Sequence, residues 1–212
     1  MSVIASVNKK CGVIGLKLKH DVTAEEAYPC TGCIRRVGSF KPCMPKMPKK
    51  GASVDVCMCF GCAEPGGNVK VTDFYSFSYV KAAVHSIKRN LKHTVVWNTV
   101  LCSDVGIDLK ELKPPLEVVS HCSDYVKHDI SVQEPYAILV FGLEALQAFG
   151  QGKVKGMTIA KAKATPFEFK NIPVIVTYHP DFIAKSGGTS SKHWDVWVSD
   201  IERAYDHASI PF

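Results

Sequence analysis

Val54-Asp55-Val56-Cys57-Met58-Cys59-Phe60 runs into Gly61-Cys62-Ala63-Glu64-Pro65-Gly66-Gly67, and this step from apolar run to glycine-rich turn decides the fold. A short apolar run with β-branched residues, stopped by breakers, reads as a buried strand of a parallel sheet. Three more stretches share the form: 94–101 (TVVWNTVL), 136–141 (YAILVF, stopped by Gly142) and 174–178 (VIVTY, running into His179-Pro180). Helical spacing of apolar residues lies between them. It marks 77–91 (Val80, Ala83, Val84, Ile87, Leu91), 116–127, 143–149 and 191–207, the last with Trp194, Trp197, Val198, Ile201 and Tyr205 on or near one face. Strands alternating with helices predict a three-layer α/β/α sandwich around a mostly parallel central sheet. Such folds gather function at the carboxyl ends of their strands. The polar features expected there are the 61–67 loop, Asn98 and His179.

The 212 residues are 46% hydrophobic and 22% charged, which suits one core and the size of a single domain. No apolar run of about 18 residues indicates a membrane span. The N-terminal stretch interrupts its apolar segments with lysine and lacks a signal-peptide core. A cytoplasmic protein is therefore expected (host cytoplasm for a viral chain), monomeric and without a membrane partner. The formal net charge of +6 favours nucleic acid through phosphate attraction, a bias many soluble proteins share. Arg35, Arg36, Lys41, Lys46, Lys49 and Lys50 crowd one stretch with no acid between them; on charge alone this is a solvated loop. Pro42, Pro45 and Pro48 make 40–51 an irregular connection.

Nine cysteines without a secretory signal argue against a disulfide framework and toward metal or cluster ligation plus buried thiols. Cys30-Thr31-Gly32-Cys33 fits a zinc half-site, a redox pair or a cluster half-site, and spacing does not choose among them. Cys102 closes the second strand and Cys122 lies twenty positions later. A close pair plus two distant single thiols suits a cluster, whereas zinc ribbons usually offer two close pairs. Ordinary thiols remain open on spacing alone. Cys57 and Cys59 alternate in a strand and read as small core residues.

Five segments in this order resemble the iron–sulfur, or family 4, uracil-DNA glycosylases. They are Cys30-Thr-Gly-Cys33-Ile-Arg35-Arg36; the strand ending in Phe60-Gly61-Cys-Ala-Glu64-Pro-Gly66; Trp97-Asn98-Thr-Val-Leu-Cys102; Cys122 through Pro135 to Phe141-Gly142-Leu143-Glu144-Ala145; and Tyr178-His179-Pro180-Asp181. The match covers roughly residues 28–205, so 28–212 is expected to be the glycosylase-like domain and 1–27 an N-terminal extension. The resemblance implies a DNA-repair hydrolase that extrudes uracil, or a related deaminated base, from DNA and cleaves its N-glycosidic bond. It implies a structural 4Fe-4S cluster held by Cys30, Cys33, Cys102 and Cys122. It also implies that Asn98 pairs with the base edge, that Phe77 stacks on the base (with Phe74 and Tyr75 as neighbours in the same loop), and that His179 stabilises the leaving anion. Glu64 would orient the attacking water. Arg35 and Arg36 would meet DNA, with Phe182 and Ile183 wedged into the base stack.

Two departures stand out. The family places Glu directly after Gly where this chain has Cys62, with Glu64 two residues on, and His-Pro-Ser is replaced by His179-Pro180-Asp181. Asp181 brings a negative charge where a serine would donate to phosphate. These departures support an alternative expectation, a catalytically weak or inactive glycosylase-fold protein that binds DNA, with replication proteins as partners. Each site residue also has a plainer role: Asn98 capping a turn, Glu64 in a solvated turn, His179 as a satisfied strand-end histidine, Phe77 as helix core.

Overall fold

In a computed structural model of the chain, residues 7–8, 13–14, 41–42, 45–49, 51–62, 72, 75–100, 102–103, 116–150 and 153–208 are described. Two small pairings precede and flank the main sheet: β1 (Val7–Asn8) with β2 (Val13–Ile14), and β3 (Lys41–Pro42) with β6 (Cys102–Ser103), both antiparallel. The main sheet contains β4 (Val56–Cys62), β5 (Thr94–Val100), β7 (Ala137–Phe141), β8 (Phe167–Phe169) and β9 (Ile172–Thr177), in the order β5-β4-β7-β9-β8. All neighbours run parallel except the hairpin of β8 with β9.

Helices α1 (Phe77–Ser86), α2 (Leu116–Gln133), α3 (Gly142–Gly150), α4 (Ile159–Ala164), α5 (Pro180–Lys185) and α6 (Trp194–His207) cover the sheet on two sides. On one face Cys57, Cys59, Trp97, Val140 and Val176 pack against α2, α3 and α4. On the other, Met58, Phe60, Val96, Phe141 and Ile175 pack against α1, α5 and α6. Side-chain alternation along each strand feeds both clusters. The result is the three-layer α/β/α arrangement with a mostly parallel sheet.

The strand ends differ from the sequence reading. β4 starts two residues later and continues through Gly61 and Cys62, because Cys62 still pairs with Val100. α1 stops at Ser86, short of Leu91, where Lys88 takes a positive φ of 58°. α2 runs on to Gln133 rather than Lys127. The β8–β9 hairpin, turning at Lys170 and Asn171 with φ of 52° and 66°, was not foreseen. Nor were α4 and α5, both too short to show periodicity. Lys46 is no solvated loop residue: residues 45–48 lie along β5, the Lys46 and Val96 backbones exchange hydrogen bonds of 3.0 Å, and its half-buried ammonium donates to the carbonyls of Leu91 and Thr94. All of the proposed N-terminal extension except residues 7–8 and 13–14, and the basic pair Arg35-Arg36, lie outside the described residues. Among the described residues no helix is long and apolar enough to cross a membrane.

Beneath the first face, Cys57 and Cys59 are buried with their sulfurs 3.8 Å apart. Burial, then the Cys59 thiol, hold the Cys57 thiol well above its ordinary range. Asp129 on α2 is 7% exposed, its Oδ2 has no hydrogen-bond partner among the described residues, and burial pushes its carboxyl up to about 7. The folded chain thus prefers the protonated acid, while an unfolded aspartate ionises near 4. Stability from this group is complete below about pH 4 and is lost as pH rises through 7. Asp129→Asn should therefore gain on the wild type by roughly 2–3 kcal/mol between pH 5 and pH 8, at ~1.4 kcal/mol per pKa unit. Urea unfolding at the two pH values measures this; an unchanged difference would refute the buried acid.

Candidate functional site

The connection leaving β4 passes to α1 on one face, and the connection leaving β7 passes to α3 on the other. Neighbouring strands whose connections part in this way open a crevice at their carboxyl ends, where α/β proteins bind ligands. Four residues meet at this end of the sheet. Phe60 is the last aromatic of β4, and its backbone register partner on β5 is Asn98. In a parallel pair such partners face the same side, so the Asn98 amide projects beside the Phe60 ring.

Phe60 stacks on Phe141 at 4.4 Å between centroids, meets Phe77 at 5.9 Å, and presents an edge-on contact to the His179 ring at 6.0 Å and 90°. Phe60 thus links Phe77 and His179 by ring contacts and Asn98 by strand register at this end of the sheet. Phe77 opens α1 and is covered to 1% exposure within this cluster.

Asn98 is 1% exposed, and neither its amide nitrogen nor its amide oxygen has a hydrogen-bond partner among the described residues. A buried amide left unpaired costs about 1–3 kcal/mol for each group. The adjacent Thr99, also buried, is fully engaged, its hydroxyl donating to the Gly61 carbonyl at 2.9 Å. The sequence is folded so that one strand-end polar residue is satisfied and its neighbour is not.

His179 follows β9 and caps α5. Its Nδ1 accepts from the Asp181 backbone N–H at 3.3 Å, and the Asp181 carboxylate lies 3.6 Å from the same nitrogen. With Nδ1 accepting, the neutral ring carries its proton on Nε2, which leaves a donor for a ligand. Burial lowers the His179 pKa against the opposing pull of Asp181 and Glu144, with Lys185 acting in the same direction as burial. The ring is therefore held toward its neutral form.

The backbone leading to His179 is fixed from α6 and α4. Trp197 Nε1 donates to the Tyr178 carbonyl at 2.9 Å, and Thr177 Oγ1 donates to the buried Asp200 carboxylate at 2.7 Å. Lys163 pairs with that carboxylate at 2.5 Å and sets its ammonium 5.1 Å from the Tyr178 ring centre. Asp200→Ala strands a largely buried ammonium and a hydroxyl, and should cost about 3 kcal/mol in thermal or denaturant unfolding. A loss below about 1 kcal/mol would show that this network does not hold the strand end.

Of the two wedge residues, only Phe182 is exposed, at 40%, with its ring stacked on Tyr178 at 4.8 Å and 5.0 Å from His193. Ile183 is fully buried in the α1–α6 face, which corrects its expected exposure to a base stack. Successive residues on a helix point about 100° apart, so α5 can turn one of the pair outward only by turning the other in. Glu64, Arg35, Arg36, Cys30 and Cys33 lie outside the described residues, as does Phe74; Tyr75 is exposed. Cys102 is placed by its backbone in β6, and Cys122 is buried on α2. Of the four thiols only that of Cys122 lies on a described side chain, so the set as a whole falls outside the described residues; among the described residues no group of three or more His, Cys, Asp or Glu could hold a metal. Sequence reasoning passed over Phe60 and Glu144. The first had a signal, as the aromatic residue before a strand-end glycine. The second had none, since only the packing of α3 on β4 brings it to the crevice.

No family model and no curated protein matches this chain. A cavity of about 200 Å³ lined by Asp55, Arg89, His93 and Tyr205 opens at the opposite, amino end of β4 and β5. Its polar groups are engaged with the surrounding fold, as in the 2.8 Å contact of the Tyr205 hydroxyl with Thr94 and the 3.9 Å ion pair of Arg89 with Asp206. The unpaired amide at the carboxyl ends is the stronger functional signal.

Proposed function

We propose that the chain is a uracil-DNA-glycosylase-like hydrolase, which takes an extruded uracil or related deaminated base at the carboxyl ends of β4, β5 and β9. The observation that carries this reading is Asn98, whose buried amide has both its donor and its acceptor unpaired. Those are the two groups needed to read the edge of a pyrimidine. Apolar walls at Phe60 and Phe77 suit a flat heterocycle, and the Nε2 donor of a neutral His179 suits the negative charge that grows on the base carbonyl during cleavage. Phe182 is the aromatic residue available to stand in the base stack. The net charge of +6 suits a phosphate-bearing partner.

The donor set Cys30, Cys33, Cys102 and Cys122 fits a 4Fe-4S cluster by its all-thiolate chemistry, which would supply structural order and no electron transfer. Incubation of anaerobically purified protein with single- and double-stranded oligonucleotides bearing one uracil, followed by abasic-site cleavage, tests the reading. Uracil-dependent product supports it, and its absence with retained DNA binding overturns the hydrolase. A second reading, binding without efficient cleavage in the service of replication, is favoured by the Asp181 carboxylate beside His179. That charge would repel a phosphate approaching the site.

A further inference from the structure

Hydrolysis of an N-glycosidic bond needs a base for water as well as a reader of the nucleobase. Neither Asn98 nor a His179 whose Nδ1 is occupied can accept that proton. Two carboxylates reach this end of the sheet: that of Asp181 sits beside the His179 Nδ1 at 3.6 Å, whereas that of Glu144 is set by packing against the end of β4. β7 passes straight into α3 because Gly142 adopts a φ of 88°, a left-handed conformation that favours glycine. The side chain of Glu144, in the first turn of α3, therefore reaches back over β4.

It lies directly against Gly61: a Cβ built on Gly61 would stand 3.0 Å from both the Cβ and the Oε2 of Glu144. The room filled by this carboxylate exists only because position 61 has no side chain. The Gly61 carbonyl beneath it is held by Thr99. Glu144 is close enough to His179 for its charge to act on the imidazole. A Cβ on Gly142 would meet the His179 Cβ at 3.7 Å, so the start of α3 and the histidine are neighbours. Glu144 is half-buried, which leaves it reachable by a water.

We propose that Glu144 is a catalytic residue of this site, the general base that takes a proton from the attacking water at the crevice between β4 and β7. The inference rests on the glycosylase reading above. The water oxygen bonds to the sugar C1′ as the C1′–N1 bond breaks, and the bonding pair passes into the base as an anion beside His179. Glu144 takes the water's proton and returns it to the departing base. A hydroxyl is left on C1′, with a neutral base and an ionised carboxylate.

Single-turnover cleavage of a uracil oligonucleotide by the full chain, with melting curves for each variant, tests it. Glu144→Gln is expected to slow cleavage by about a hundredfold or more, the usual worth of a general base. It should leave the melting temperature and the affinity for a non-cleavable 2′-fluoro-uracil oligonucleotide near those of the wild type. Glu144→Asp, which keeps the carboxylate one methylene short, should fall between the two. Cleavage by Glu144→Gln within about threefold of the wild type would overturn the proposal, as would a loss matched by equal losses of binding and stability. A large loss in Glu64→Gln with none in Glu144→Gln would move the role to Glu64. If the wild type itself leaves uracil in place, the glycosylase reading fails first and takes this inference with it, an outcome read before any variant is made.

Discussion

Asn98→Leu is expected to make the protein more stable and functionally empty. Leucine shares asparagine's branched, four-heavy-atom outline, though it is bulkier, and it removes two polar groups that the folded chain buries at 1% exposure without partners among the described residues. Relief of that desolvation should raise stability by about 1–2 kcal/mol, seen as a higher urea midpoint at unchanged slope. Under the glycosylase reading the same change removes both hydrogen bonds to the base edge. Sites that read a polar edge lose heavily when the matching group is missing, so uracil cleavage should fall by about a thousandfold or more. Opposite signs for stability and activity are the mark of a residue kept for its ligand. If Asn98→Leu were instead destabilising by 2 kcal/mol or more, its amide would be structural and the site would lose its main support.

The second large effect is expected at His179. Removing a donor aimed at developing negative charge costs about 10²–10³ in rate, so His179→Ala should slow single-turnover cleavage by that factor with folding retained. The pH dependence is more telling than the loss. His179 is driven toward its neutral form chiefly by burial, so its folded pKa lies below that of an exposed histidine, near 6.5. In the neutral ring Nδ1 accepts from the Asp181 backbone; protonation would remove that acceptor and break the cap of α5.

A depressed pKa means that the unfolded chain binds the proton more readily. The stability contributed by this group is therefore present above about pH 6.5 and is lost as pH falls from there through the lower folded value. Cleavage and melting temperature of the wild type should decline together on that acid side, and His179→Gln should flatten the decline in melting temperature. A wild-type profile with no acid limb attributable to His179 would refute the neutral donor. The Asp181 and Glu144 carboxylates both pull this histidine toward its charged form, and burial outweighs them.

The sequence by itself determined the layers. Short apolar runs at 54–60, 94–101, 136–141 and 174–178, rich in β-branched residues and bounded by breakers, read as central parallel strands, and Asn98 and His179 stood out as the polar residues near or just past their ends. Helix existence was legible wherever periodicity ran for several turns, as in Trp194–His207. Short elements were not: α5 depends on the His179 cap and on Pro180, and the β8–β9 turn on positive φ at Lys170 and Asn171. Tertiary structure alone decided that Asn98 lacks partners, because hydrogen-bond satisfaction depends on what every neighbouring element brings. It alone buried Ile183 while leaving Phe182 outside, a matter of how α5 rotates against α1 and α6. It also set Glu144 against Gly61, since two residues so far apart in sequence meet only through the register of β4 with β7 and the direct turn into α3.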